Sequence, residues 1–205
     1  MKTLWLASGS PRRLSMLRDA GFDPQRVVID LDDDTLAEAV EGVESTCLAR
    51  AWFKACAARH VLSTELGDLS RGEPGILLAA DTLCESEGNL LGKPSDAQSA
   101  SDMIRHLAGR EHRTITGVAL LDLSGSHRSI WSDSTLVRVG HLSDAQIQTY
   151  VESGAWQGKS GGYNLADRMA DGWDIEIEGD PDTVMGLPMQ ELRLRLNELL
   201  STGDS

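Results

Sequence analysis

The stretch Ile76-Leu-Leu-Ala-Ala80 is apolar at every position, and Asp81 follows at once. A strand that is apolar throughout has to be covered on both faces, which calls for layers above and below a sheet. Residues 76–80 therefore read as a buried strand that Asp81 ends. Residues 4–7 read as a strand, 11–20 as a helix stopped by Gly21, and 26–31 as a second strand. A helix over about 45–60 would present Leu48, Trp52, Ala55 and Cys56 on one face. Residues 65–75 are a turn-rich surface loop, and Cys84 to Leu91 reads as a hairpin around Glu87-Gly88-Asn89.

Two Ser-Asp-Ala-Gln boxes mark the next helices, one from Ser95 to about Leu107 and one from Ser143 to about Glu152. Between them, 113–122 and 128–139 are β-rich and joined by the polar turn Ser124-Gly125-Ser126. A short helix near 165–169 and a strand at 173–178 follow. Pro188 then opens an amphipathic helix carrying Leu192, Leu196 and Leu199, and the tail 201–205 frays. This alternation predicts a mixed α/β fold over residues 1–205, one domain with a continuous sheet system, two lobes and a cleft.

Charge narrows the partners. The chain carries a net −13 and a pI near 4.7, so a nucleic-acid polymer is not its partner, and phosphate binding has to come from a local cationic cluster. No apolar run approaches the ~20 residues of a membrane span, and no signal-peptide core opens the chain. Cys47, Cys56 and Cys84 are odd in number and not spaced as a zinc site, and they read as reduced thiols of a cytoplasmic protein.

Local cationic clusters are present. In Leu6-Ala-Ser-Gly-Ser-Pro-Arg-Arg13, Ser10 is a good helix cap and Pro11 a good first helical residue, so Arg12 and Arg13 fall in the first turn. Cations there oppose the helix dipole by roughly 0.3–1 kcal/mol each. Only four of the 19 basic residues are lysines, and two of these, Lys93 in Gly-Lys-Pro and Lys159 in Gly-Lys-Ser-Gly-Gly, sit in tight loops. A compact ammonium and a planar guanidinium are not interchangeable at a phosphate. Gly154-Ala-Trp-Gln-Gly158-Lys159-Ser160 imitates a P-loop but is one residue short and leads into Gly161-Gly162-Tyr163 rather than a helix, so a P-loop NTPase is rejected. Asp81, followed by Thr82, either caps a turn or holds a metal, orients a water or takes its proton. The run Asp32-Asp33-Asp34 reads as solvated, with at most Asp34 a ligand.

Five blocks in order, LASGSPRR at the start, AADTLCESEGNLLGKP (79–94), GREHRTITGVAL (109–120), GKSGGY (158–163) and GDPDTVMGLP (179–188), resemble Maf proteins over essentially the whole chain. The resemblance implies an elongated α/β fold of the Maf and inosine triphosphate pyrophosphatase type, with the site in a cleft between two lobes. It implies a divalent metal, Mg2+ or Mn2+, usually a homodimer, and hydrolysis of a nucleoside triphosphate to monophosphate and pyrophosphate. Residue by residue, Ser8, Arg12 and Arg13 match the family's phosphate-binding loop. Lys54 matches the lysine of its helix, here Leu48-Ala49 followed by Lys54-Ala55. Lys93 and Lys159 match its loop lysines, and Asp81 matches the general base, with Asp34 a second metal ligand in a segment where the family usually has Glu. A triphosphate would supply the counter-charge that Arg12 and Arg13 lack. In the branch preferring dTTP and UTP, specificity goes with an Arg, a Thr and a Gln. This chain has Arg12 and Thr82, but Ala166 stands third, so the expected substrate is a pyrimidine nucleotide such as dTTP or UTP, or a modified one. A non-catalytic nucleotide-binding regulator of cell division and an inosine-type triphosphate pyrophosphatase are the alternatives.

Overall fold

The computed structural model describes residues 2–29, 41–67 and 75–201. Among them are seven strands and seven helices: β1 (Thr3–Ala7), α1 (Pro11–Asp19), β2 (Gln25–Arg26), α2 (Val43–Leu66), β3 (Gly75–Ser86), β4 (Asn89–Leu91), α3 (Ala97–Leu107), β5 (Glu111–Asp122), β6 (Arg128–Val139), α4 (Asp144–Glu152), α5 (Leu165–Ala170), β7 (Ile175–Glu178), α6 (Pro181–Met185) and α7 (Met189–Ser201). The sheet is mixed, in the order β2-β1-β3-β5-β6-β7, with β4 paired to β3. The fold class is α/β, as the sequence predicts. Asp34 and its acidic neighbours, and the tail 202–205, lie outside the described residues.

The chain clusters into two compact units, one of residues 1–81, 116–133 and 186–205, the other of 82–115 and 134–185. In the first, β1 pairs in parallel with β3, Leu4 opposite Ile76 and Leu6 opposite Leu78. Successive residues of β3 serve opposite faces. Ile76, Leu78 and Ala80 pack with Leu4, Leu6, Leu17 of α1, and Leu192 and Leu196 of α7. Leu77 and Ala79 pack with Ala51, Ala55, Ala58 and Leu62 of α2, and with Ala119 and Leu121 of β5. Both faces are covered, which is why this strand has no polar alternation.

Helix α2 lies very close to its sheet face. A Cβ on Gly117 would stand 2.7 Å from the Cys47 carbonyl oxygen and 3.0 Å from the Leu48 nitrogen. With Ala51, Ala55 and Ala58 also small, the helix backbone rests on the strands. Its buried residues are Thr46, Cys47, Arg50, Ala51, Ala55, Ala58 and Leu62, which share only Ala55 with the predicted stripe: Leu48 and Trp52 are half-buried and Cys56 is exposed. The expected span of 45–60 extends to 43–66 because Leu62 continues the buried face and only Gly67, at φ +82°, ends it.

In the second unit, Ala100, Ile104 and Leu107 of α3 pack with Val137 and Val139 of β6, Ile147 and Tyr150 of α4, and Trp156, Tyr163 and Trp173. The predicted hairpin is β3–β4, with Cys84 opposite Leu91 and the turn made by Glu87 and Gly88, both at positive φ. Three expectations shift. The first capping box is Asp96 with Ser99, one residue later than Ser95 with Gln98, because the Asp96 carboxylate accepts the Ser99 N–H at 2.7 Å. Of the strand expected at 26–31, the described residues pair at Gln25 and Arg26, while residues 30 and 31 lie outside them, and the strand expected at 173–178 begins at Ile175. The helix α6 was not read from the sequence. The Ser143–Gln146 box forms as predicted, and β6 occupies 128–139.

Candidate active site

The loop Ser8-Gly9-Ser10 joins β1 to α1. The Ser10 hydroxyl accepts the Arg13 N–H, and no acid occupies the first helical turn. Arg12 is half-buried there. Arg13 turns inward: its Nε donates to the Gly186 carbonyl at 2.8 Å, and its Nη1 donates to the Ala80 carbonyl at 2.8 Å and to the Ser8 hydroxyl at 3.3 Å. Ser8, 8% exposed, is thereby fixed, its Oγ also accepting the Ser10 N–H. Arg13 pins the loop to the residue immediately before Asp81.

Asp81 does not end its strand. β3 continues to Ser86, and Asp81 lies inside it, 6% exposed. The carboxylate continues the face of Leu77 and Ala79, the face that α2 covers. Three residues on one stripe of α2 address it. Cys47 Sγ accepts the Gly117 N–H at 3.0 Å and donates to the Asp81 carbonyl at 3.2 Å, clamping β3, β5 and α2 together. One turn on, Arg50 brings Nη1 to 4.0 Å from Asp81 Oδ2. A further turn on, Lys54 Nζ meets Oδ1 at 2.5 Å. Oδ2 is buried and accepts no hydrogen bond, and Arg50 Nε is buried and donates none. The structure thus brings together Ser8, Arg13, Lys54 and Asp81 of the predicted set.

Arg50, Cys47 and Gly117 were not singled out from the sequence. Arg50 was accessible through its spacing, four residues before Lys54 and so on the same helical stripe. Cys47 and Gly117 carry no such local signal.

The other predicted residues belong to the second unit. Lys93 is exposed between β4 and α3, and Lys159 is half-buried with its ammonium donating to the Ala155 carbonyl. Their loops are stitched together: the Gly161 N–H donates to the Gly92 carbonyl at 3.1 Å, and the Ser160 hydroxyl to the Leu91 carbonyl at 2.9 Å. Ser160–Gly162 forms a 3-10 turn in which Gly161 and Gly162 both take positive φ. A Cβ on Gly161 would lie 3.0 Å from Cys84 Sγ, so the glycines of this block are demanded twice, by backbone angle and by space. The Tyr150 hydroxyl holds the Gly162 carbonyl at 2.7 Å, and His112 Nε2 meets the Tyr163 hydroxyl at 2.7 Å. Burial, reinforced by nearby His106, pushes His112 down to about 4, and burial pushes the Cys84 thiol up to about 12. Neither group is charged at neutral pH, and both serve the packing of this turn. Thr82 is half-buried beside Asp81 in sequence, and Ala166 is exposed in the first turn of α5, its N–H capped by Asn164.

An α/β sheet that buries a carboxylate under two cations of one helix, beside a loop leading into another helix, has the parts of a phosphate-handling site. The chain belongs to the Maf-like protein family, whose model it matches over residues 3–199. It is 38% identical over 189 residues to the dTTP/UTP pyrophosphatase of Nitrobacter winogradskyi, covering 92% of this chain and 87% of that one. The dTTP/UTP pyrophosphatase of Chromobacterium violaceum is 38% identical over 197 residues, covering 95% and 93%. Among solved structures, the Ham1 protein of Staphylococcus aureus is similar at TM-score 0.39 and 13% identity, over 67% of this chain and 72% of that one.

Proposed function

We propose that this chain hydrolyses a nucleoside triphosphate, a pyrimidine nucleotide such as dTTP or UTP or a modified one, to the monophosphate and pyrophosphate. Asp81 carries the reading: a carboxylate held inside a strand, with Lys54 on one oxygen and no hydrogen bond on the other. The relatives named dTTP/UTP pyrophosphatase support the reaction class.

A triphosphate brings about four negative charges, so the approach of water to it needs neutralisation before anything else. Lys54 would supply part of it, and Arg12 with the N-terminal N–H groups of α1 would supply the rest from the Ser8 loop; the absence of acid in that first turn supports this. Asp81 orients the attacking water and takes its proton. Arg13 acts as a positioning residue, because its Nε and Nη1 already hold Gly186, Ala80 and Ser8. Lys93 and Lys159 join the phosphate contacts on the family resemblance alone.

Among the described residues no three carboxylate, histidine or cysteine side chains gather around a metal position, so a divalent ion here would rest on Asp81 and on substrate oxygens. Mg2+ in phosphate-transfer sites is held by one or two carboxylates and by substrate oxygens, and Asp81 Oδ2 is a carboxylate oxygen with its lone pairs unused. Asp81 would hold Mg2+ or Mn2+, with Asp34 the expected second ligand, and the bound ion would neutralise phosphate charge. Arg12 and Thr82 favour a pyrimidine base, and Ala166 removes the side-chain amide expected third, so selectivity against other bases is reduced. A homodimer and a cytoplasmic setting complete the proposal.

The test is a panel of standard, methylated and deaminated triphosphates with Mg2+, with products identified as pyrophosphate or orthophosphate. Pyrophosphate from dTTP or UTP is expected, as is its loss by at least a hundredfold in Asp81→Asn. Orthophosphate as the product, or an active Asp81→Asn, would overturn the assignment.

A further inference from the structure

The geometry points to Arg50 as a further substrate-binding residue, a second cation of α2 that takes a phosphate oxygen of the triphosphate; this rests on the pyrophosphatase reading above.

Arg50 is 7% exposed and among the described residues makes no hydrogen bond. Its one ion pair, to Asp81 Oδ2 at 4.0 Å, is too long for a hydrogen bond. Arginine keeps its charge at any physiological pH and offers five donors in a rigid fork, so a buried guanidinium without acceptors is costly to maintain. Burial withdraws water, the ordinary acceptor, from Nε, and leaves the Nη groups as the end of the fork that a ligand can reach. Bending the chain to close the gap to Oδ2 would be the simplest remedy, yet the helix is held where it is by Cys47 on both strands and by the contact at Gly117. A planar fork fits two oxygens of one phosphate, which is the geometry Arg supplies better than Lys. Lys54, one turn away on the same stripe, already has Oδ1 of Asp81 as its partner. Lys54 therefore shares its charge between the carboxylate and the phosphates, and Arg50 is the cation of this stripe left wholly to the anion.

The test is calorimetric binding of inorganic tripolyphosphate, in EDTA and at 0.15 M salt, to the wild-type chain, Arg50→Met and Arg50→Lys. Met keeps the stem and drops the charge, and Lys keeps the charge and drops the fork. We expect Kd to rise at least tenfold in Arg50→Met and by an intermediate factor in Arg50→Lys. In the nucleotide assay, KM should rise in the same order. A Kd within twofold of wild type in Arg50→Met, whatever happens to kcat, overturns the proposal, because it leaves Arg50 holding Asp81 only. Failure of both variants to fold also overturns it, since the chain itself would then be the partner. A wild-type chain that binds no tripolyphosphate does the same. If the Kd order holds while the wild-type chain hydrolyses no nucleotide, the anion site stands and the pyrophosphatase reading falls.

Discussion

Replacing Gly117 by alanine tests how the active site is held in register. The added Cβ would stand 2.7 Å from the Cys47 carbonyl oxygen and 2.8 Å from its carbon, both backbone atoms of α2. Ordinary contact begins at 3.4 Å, so helix and strand must separate by about 0.7 Å at that point. No flexible side-chain end is available to absorb the displacement. Overpacking of this kind costs about 1–3 kcal/mol, and in a protein of this size each kcal/mol lowers Tm by about 2–4 °C. A fall of roughly 2–12 °C is expected. The chemistry should suffer separately. Cys47 bonds Gly117 at 3.0 Å and Asp81 at 3.2 Å, and a 0.7 Å retreat stretches both toward the weak end of hydrogen bonding to sulfur. Lys54 and Arg50 retreat with the helix, and because misplacement by about 1 Å costs roughly a hundredfold, kcat should fall about tenfold or more. Differential scanning fluorimetry and steady-state pyrophosphate release measure the two effects. Gly92→Ala, where a Cβ meets nothing within 4 Å, is the stability control. If Gly117→Ala melts and turns over like the wild type, the seating of α2 does not set the geometry at Asp81.

Other perturbations probe the remaining parts. Arg13→Lys cannot hold the Gly186 and Ala80 carbonyls with one fork, and losing such charge-assisted bonds should cost about 1.5–3 kcal/mol, read as a drop of several degrees in Tm. An unchanged Tm would show that Arg13 does not pin the loop. Gly161→Ala adds a clash at Cys84 to the strain of a positive φ, whereas Gly158→Ala, equally left-handed, meets open space. If Lys159 contacts the phosphates, KM should rise at least threefold in the first variant and much less in the second, and equal KM values would remove the turn from the site. His112 titrates near 4 when folded against 6.5 for a freely solvated imidazole, so the unfolded chain binds the extra proton between those values. Stability is therefore whole above about 6.5 and declines as pH falls toward 4, by on the order of 3 kcal/mol in all. Urea unfolding at pH 7, 6 and 5 should show that decline steepest in the wild type and shallower in His112→Gln, and identical slopes would refute the assignment.

The features legible in the sequence are those fixed by neighbours along the chain. Ser10 and Pro11 start α1, Ser143 and Gln146 start α4, and the turn around Glu87-Gly88 closes β3 on β4, each from chemistry within four residues. Ser95 and Asp96 are both good caps, and the sequence cannot rank them; the carboxylate wins as the stronger acceptor. Asp81 was recognisable as chemically important but was placed at a strand end, because a carboxylate inside a strand is tolerable only with partners. Those partners, Lys54 and Arg50, lie on a helix some 27 and 31 residues earlier. The tight seat of α2 on Gly117 was equally hidden, since nothing in Thr-Ile-Thr-Gly-Val announces which backbone will approach it. Local rules gave the elements, and the site arises where distant elements touch.

The alternation of faces along β3 has a consequence for how this family can vary. Odd-numbered residues from Leu77 to Asp81 look toward α2, and even-numbered ones look toward α1 and α7. Deleting any one residue of Ile76–Ala80 would leave a strand just as apolar and just as able to pair with β1, yet the carboxylate would emerge among leucines on the wrong side. The length of this segment therefore bears on the site through its parity: a change of two residues keeps the acid on the α2 side, and a change of one does not.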